Sequence, residues 1–336
     1  MNDEFYMRRA LELAKNGRQH AAPNPMVGAV VVAPDGSIIG EGWHRRCGTH
    51  HAEVNAIRSV KERDRILIPR STVYVTLEPC SHYGKTPPCA SLLINERVNR
   101  VVVATLDPFP KVSGRGVGML QDAGIEVTVG VLEKEARVLN RRFITAHSLQ
   151  RPYVTLKWAQ SADGYMDSLT RHPMLFSTRL TQILTHRLRS LHDGILTSAR
   201  TANADNPRMD VRYWPCGNNP RPVILCRTEY PDPGLHLLSE NRINDTIVID
   251  SRNRNLRDIM HELYAEYGLT SLLVEAGPQL LRSFINENLW DEIRVEIAPF
   301  SLGNDGTCEA PLFPGEPDRV ENAGDHKIYN MYNKHF

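Results

Sequence analysis

The run MVGAVVVAPDGSIIGEGW, Met26 to Trp43, constrains the fold more than any other stretch of the chain. Two apolar segments of strand length flank Pro34 to Gly36, so the sequence predicts an antiparallel hairpin. A helix precedes it, because Phe5, Met7, Ala10, Leu11, Leu13 and Ala14 follow helical spacing and Asn16-Gly17 closes the segment. After the hairpin, HAEVNAIRSV reads as a helix starting near His51, STVYVTLEPC as a buried strand, CASLLINERVN as a helix and RVVVATLDP as a strand. GRGVGMLQDAGIEVTVGVL adds a helix and a strand, and EKEARVLNRRFITAHS one further helix. This alternation predicts an α/β sandwich whose loops at the strand ends carry the chemistry.

QRPYV then marks a boundary, and the alternation restarts with YVTLKWAQSADG, RLTQILTHRLRSLH and DGILTS. RPVILCR, DTIVID, LRDIMHELYAEYG, SLLVEAG, PQLLRSFINENL and DEIRVEIAPFSLG continue it. The 336 residues suit two cores of about 150 residues each. The expected domains are 1–147 and 152–336, both α/β.

A formal net charge of +1 supplies no global field for nucleic acid or an anionic membrane, so any anion must be held locally. The N-terminal segment lacks the apolar core of a signal peptide and no run reaches transmembrane length, which places the expected protein in the cytoplasm. Thiols stay reduced there, so the pair in EPCSHYGKTPPC points to a metal or redox site before a disulfide.

Zinc prefers tetrahedral thiolate and imidazole ligands, and a catalytic site supplies three of them. Cys80 and Cys89 give two, and His51 of HAEV gives a third, with Glu53 two residues further on. His51 and Cys89 each open an expected helix, where the positive end of the dipole favours deprotonated ligands. One zinc per chain follows, with Glu53 placed to move protons. His-x-Glu with a later Pro-Cys resembles the signature of zinc deaminases. Either half alone is commonplace; the ordered combination carries the reading. Eight residues separate the cysteines instead of two, and the longer loop SHYGKTPP carries Lys85, a candidate clamp for a phosphate-bearing substrate.

PNPMVGAVVV, GEGWH, HAEVNAI, YVTLEPCSHYGKTPPC and DPFPKVSGRG together closely resemble the bifunctional riboflavin-biosynthesis deaminase/reductases, across almost the whole first domain. The resemblance implies a cytidine-deaminase-like α/β/α sandwich with zinc on His51, Cys80 and Cys89 and Glu53 as proton shuttle. It also implies that Asn24, His44, Lys85 and Asp107 contact a diaminopyrimidinone ribosylamino phosphate. Phe109 stands where many relatives have an asparagine, so one substrate contact is lost.

The second half resembles the family's reductase module, of dihydrofolate-reductase-like fold, on LKWAQSADG, LRS, ILTSARTANADNPRMDVR, LLVEAGPQLLRSFI and DEIRVEIAP. It implies NADPH at Gln160, Ser177, Thr201 and Asp205, with Gly277 facing the cofactor phosphates. Arg189, Arg212 and Glu275 then face the substrate's ribose phosphate, and Lys157 is a catalytic group lining the cleft. Leu175 replaces a tryptophan, Ser198-Ala199-Arg200 a Gly-x-Gly, and Ala276 a glycine of many relatives. Glycine allows close backbone approach to phosphate, so a deaminase with a degenerate reductase serving as a dimerising scaffold stands as the alternative. A nucleic-acid deaminase is a third reading, opposed by the balanced charge. Reductase modules of this kind pair, which implies a homo-oligomer acting on a small molecule. Gly114 to Gly118 lacks the spacing of a dinucleotide fingerprint, and Ala204 to Arg208 is turn chemistry.

Overall fold

The computed structural model describes residues 2–82, 87–109, 113–169, 175–215, 218–242 and 244–334. They form two compact units, Met1–Leu149 and Gln150–Phe336.

The first unit runs α1 (Asp3–Ala14), β1 (Gly28–Val32), β2 (Ile38–Trp43), α2 (Ala52–Ser59), β3 (Thr72–Val75), α3 (Cys89–Asn95), β4 (Arg100–Val103), α4 (Arg115–Asp122), β5 (Glu126–Val129), α5 (Glu133–Leu139) and α6 (Arg141–Leu149). The hairpin is present: β1 pairs antiparallel with β2, and the turn closes with the Ala33 N–H donating to the Ser37 carbonyl. The sheet order is β2-β1-β3-β4-β5, with β3, β4 and β5 parallel. Side chains alternate across a strand, so the Val-rich β1 and β3 feed two cores at once. Ala29, Val31, Val73, Val75, Val101 and Val103 pack under α2, α3 and α4 through Ala56, Leu93 and Leu120. Val30, Val32, Tyr74 and Val102 pack on the other face against Met7 and Ala10 of α1 and Ala136 of α5. Helix α1 lies so close to β1 that a Cβ on Gly28 would sit 2.0 Å from the Ala10 carbonyl oxygen, which accounts for glycine at the head of that strand.

One expectation fails here. The single helix expected over EKEARVLNRRFITAHS is two, broken at Asn140, whose side chain pairs with both backbone groups of Met26. The Met26 N–H donates to Asn140 Oδ1 at 2.8 Å and Asn140 Nδ2 donates to the Met26 carbonyl at 2.8 Å. A buried asparagine that binds backbone elsewhere competes with the helix ladder, and here it ends one helix and starts the next.

The second unit runs β6 (Tyr153–Gln160), β7 (Tyr165–Ser168), α7 (Arg179–Arg189), β8 (Gly194–Ser198), α8 (Ala199–Asp205), β9 (Arg221–Cys226), β10 (Ile247–Asp250), α9 (Leu256–Ala265), β11 (Ser271–Val274), α10 (Pro278–Asn286), β12 (Glu292–Ile297), β13 (Gly306–Glu309), β14 (Arg319–Ala323) and β15 (His326–Tyr332). Its eight-stranded sheet has the order β10-β9-β8-β11-β6-β12-β15-β14. The six strands from β10 to β12 are parallel, and β15 and β14 close the sheet antiparallel. From β8 the chain passes through α8 outward to β9; from β11 it passes through α10 the other way to β12. Those diverging connections open a crevice at the carboxyl ends of β8 and β11, the switch point where open α/β sheets bind ligands.

Candidate active sites

In the first unit His51 is the N-cap of α2 and Cys89 the first residue of α3, while Cys80 lies in the loop after β3. His51 Nδ1 stands 3.6 Å from Cys80 Sγ and 3.4 Å from Cys89 Sγ, and the three donor atoms lie within 4.8 Å of one another. A tetrahedral centre with Zn–S of about 2.3 Å and Zn–N of about 2.0 Å has N···S edges of about 3.5 Å, so the donor set fits zinc. The Cys89 N–H donates to Cys80 Sγ at 3.2 Å. The Cys89 thiol also hydrogen-bonds to the Cys80 sulfur, which lowers the Cys80 thiol and leaves Cys89 raised.

Glu53, in the first turn of α2, is 3 % exposed. Burial, and then the charge of Cys80, pushes its carboxyl up to about 7, where a group takes and returns protons at neutral pH. The buried His44 ring stands edge-on to His51, centroids 5.5 Å apart. His44 Nδ1 lies 3.2 Å from the His50 carbonyl and so donates to it; burial keeps the ring neutral, so Nε2 accepts from Asn24 Nδ2 at 3.2 Å. That chain of bonds turns the Asn24 amide so that its carbonyl oxygen is the end left for a ligand. Asp107 is raised by burial, and its Oδ1 accepts the Phe109 N–H at 2.8 Å. The Phe109 ring lies on His147 of α6 at 4.8 Å, and Phe143 meets His147 edge-on at 4.4 Å. Phe109 thus packs where an asparagine was expected to reach substrate. Lys85 lies outside the described residues. The first-turn amides of α4 are taken by the Glu78 carboxylate, so Gly114 to Gly118 offers no phosphate cradle.

In the second unit Arg189 and Glu275 form a bidentate pair, Nε to Oε1 at 2.9 Å and Nη2 to Oε2 at 2.8 Å. Burial alone would raise Glu275, but the charge and hydrogen bonds of Arg189 outweigh it and, with Lys157 on β6, bring the carboxyl to about 2. A depressed carboxyl gives stability that is full above its unfolded value of about 4.3 and is lost as pH falls through the folded one. The unit's thermal midpoint should therefore fall between about pH 4 and pH 2, and Glu275→Gln should flatten that limb in a calorimetric pH series. An unchanged slope in the variant would refute the pairing.

Arg212 pairs with Asp210, and its guanidinium lies 4.7 Å from the Tyr213 ring centroid. On the same ring Arg179 lies at 3.8 Å and His186 at 4.6 Å. Sequence reasoning missed Arg179 and Tyr213; the signal was available in Ser177-Thr178-Arg179, an N-cap followed by a cation, next to the expected cofactor serine. At the switch point Thr201 Oγ1 accepts the Gly277 N–H at 3.2 Å, and Ser198 caps α8 by accepting the Thr201 N–H at 3.1 Å. Asp205, at the end of α8, is raised by burial and by the charge of Asp167. Gln160 ends β6 and accepts from Trp158 Nε1 at 2.7 Å, and Ser177 donates to Glu296 Oε2 at 2.8 Å. Helix α10 begins at Gly277 without a side-chain cap. Thr197 Oγ1 and Glu296 Oε1, near the carboxyl ends of β8 and β12, are buried without hydrogen-bond partners among the described residues. Glu296 Oε1 faces His326 Nε2 at 3.8 Å, so the Thr197 hydroxyl and the start of α10, which has no side-chain cap, are the polar groups of this edge left for a ligand such as a dinucleotide. Ala199 and Ala276 are buried in the two cores, and Ser198 has become a helix cap. Leu175 is 70 % exposed.

A chain built this way carries hydrolytic deamination on one unit and hydride transfer on the other. Residues 1–105 match the cytidine and deoxycytidylate deaminase zinc-binding region, and residues 152–331 match the RibD C-terminal domain. The riboflavin biosynthesis protein RibD of Aquifex aeolicus is 41% identical over 90% of this chain and 88% of its own. A solved Acinetobacter baumannii RibD superposes with a TM-score of 0.86 at 31% identity, covering 98% of both chains. The Thermotoga maritima diaminohydroxyphosphoribosylaminopyrimidine deaminase/5-amino-6-(5-phosphoribosylamino)uracil reductase gives 0.84 at 34% identity, again over 98% of both. The chain belongs to the RibD family of bifunctional riboflavin-biosynthesis enzymes. It is a deaminase and a reductase, with zinc and NADPH as cofactors, and nothing favours the deaminase-only alternative.

Proposed function

We propose that the first unit removes the ring amine of a diaminopyrimidinone ribosylamino 5′-phosphate and that the second reduces its ribosyl group to ribityl. The substrate follows the name of the Thermotoga maritima relative, and the observation that carries the reading is the His51, Cys80 and Cys89 triad beside buried Glu53. Zinc, held by those three side chains, supplies Lewis acidity and activates water at neutral pH. Glu53 takes the proton of the attacking water and delivers it to the departing ammonia, a duty matched to a carboxyl near 7. Asn24 presents its carbonyl oxygen to the pyrimidine, with His44 fixing its orientation; Asp107 borders the same site, and Lys85 meets the phosphate.

In the second unit NADPH supplies the hydride. Thr201, Asp205, Gln160, Ser177 and Gly277 line its place along the carboxyl edge of the sheet. Arg212 and Arg179, gathered on Tyr213, hold the ribose phosphate with Arg189, which Glu275 orients. Lys157 meets the ribose as the catalytic group. The chemistry needs reduced thiols and NADPH, both at home in the cytoplasm. Copies pair through the reductase unit, where Leu175, Leu180 and Leu312 are exposed; a monomer mass in light scattering would overturn that.

The deciding experiment is a product mass spectrum with and without NADPH. Conversion of an amine to a carbonyl in both samples, with two hydrogens added only with NADPH, is expected. No conversion of this substrate in either sample overturns the reading.

A further inference from the structure

Glu78 is absent from both the metal triad and the expected substrate contacts, yet its side chain is the most heavily bonded carboxylate of the first unit among the described residues. It is 5 % exposed. Oε2 accepts the N–H groups of Asp107 at 3.1 Å and Gly114 at 2.9 Å, and Oε1 those of Gly116 at 2.8 Å and Val117 at 3.3 Å. No cation pairs with it among the described residues, so these amides and the positive end of α4 compensate its burial. Its own N–H donates to the Thr105 carbonyl at 3.0 Å.

This one side chain therefore joins three segments: the strand end that continues into Cys80, the loop that carries Asp107, and the start of α4. The contact is tight. A Cβ on Gly116 would fall 2.0 Å from the Pro79 carbonyl oxygen, so the first turn of α4 presses on the residue just before the metal ligand. Cys80 is held from the other side as well, its carbonyl accepting the Ala90 N–H of α3 at 3.2 Å.

We propose that Glu78 is a positioning residue, holding Cys80 in zinc-binding geometry and Asp107 at the pyrimidine through the four amides it gathers. The inference rests on the deaminase reading above. Glutamine in its place keeps the shape but offers one acceptor oxygen, and its NH2 faces amides that also donate. Groups that orient metal ligands through hydrogen bonds typically matter by about 10–100-fold in metal affinity.

The test is Glu78→Gln in the full chain, with zinc affinity read by chelator competition and deaminase kinetics read at saturating zinc. The zinc dissociation constant should rise about 10–100-fold. KM should rise about tenfold while kcat stays within about threefold, since binding is what Asp107 loses. NADPH-dependent turnover of deaminated substrate should stay at the wild-type level, reporting that the second unit is intact, while a wild-type far-UV spectrum and a cooperative melt of the residue 1–149 unit report that the first is folded. A role in stability alone would lower the melting temperature and leave zinc affinity and KM untouched, and that result overturns the proposal. Should the glutamine variant not fold, Glu78→Asp, which keeps the charge but is one methylene short, decides by the same two readouts. A wild-type protein that takes no zinc or releases no ammonia sinks the deaminase reading itself; a variant that matches an active wild type sinks only the role of Glu78.

Discussion

Glu53→Gln is expected to lower ammonia release by about a thousandfold or more while zinc content stays at the wild-type level. General acid–base groups contribute about 10²–10⁴, and Glu53 acts twice in one turnover, on the attacking water and on the leaving amine, which places the loss at the upper end. Glutamine matches the shape of the side chain but carries no exchangeable acid, and it ligates nothing in the His51, Cys80 and Cys89 set. Stability should not fall with activity. A carboxyl that burial raises to about 7 costs stability as pH climbs from its unfolded value of about 4.3 through the folded one. The neutral amide removes that cost, so once the protein is stripped of zinc its melting temperature at pH 8 should hold or rise. Metal analysis, ammonia assay and calorimetry on one preparation check all three; activity within about tenfold of wild type would refute the assignment.

Cys80→Ala should abolish zinc binding and deamination together and leave reduction intact. The Cys80 sulfur is one of three donors and also accepts the Cys89 N–H, so its loss removes a ligand and a constraint on the second cysteine. The fall in zinc affinity should exceed the roughly 100-fold upper end seen for groups that only orient ligands. Each unit has its own core, so the NADPH-dependent step, assayed on deaminated substrate, should proceed at the wild-type rate. Zinc retained at one per chain would overturn the ligand set, and loss of both activities would show that the metal supports more than its own unit.

The hairpin and the long alternating elements were legible because Val-rich strands and capped amphipathic helices carry a strong local signal. Strands β7, β13, β14 and β15 were not read: GTCE and RVENA lack an apolar alternation in their residue types, and among the described residues β7 and β13 pair only with each other, across more than a hundred residues of chain. Helix α8 is short and polar; its existence rests on the Ser198 cap and on Asn206, at φ 41°, before a proline. The convergence of His51, Cys80 and Cys89 was legible because zinc demands particular side chains, and those three donor atoms lie within 4.8 Å of one another. The bond that orients Asn24 was not, since it depends on which nitrogen of His44 faces the His50 carbonyl. Nor was Glu78, a residue whose partners are backbone amides and so leave no trace in side-chain spelling.

The asparagine that splits the last helix of the first unit also bears on how the chain can be cut. Residues 1–105 carry the recognisable deaminase pattern, yet Met26, two positions from Asn24, takes both of its hydrogen bonds to the Asn140 side chain, and Phe109 rests on His147. A fragment ending at 105 would lose both contacts and leave the Met26 backbone to water. The smallest piece worth expressing as a stand-alone deaminase ends at Leu149, where the first compact unit ends.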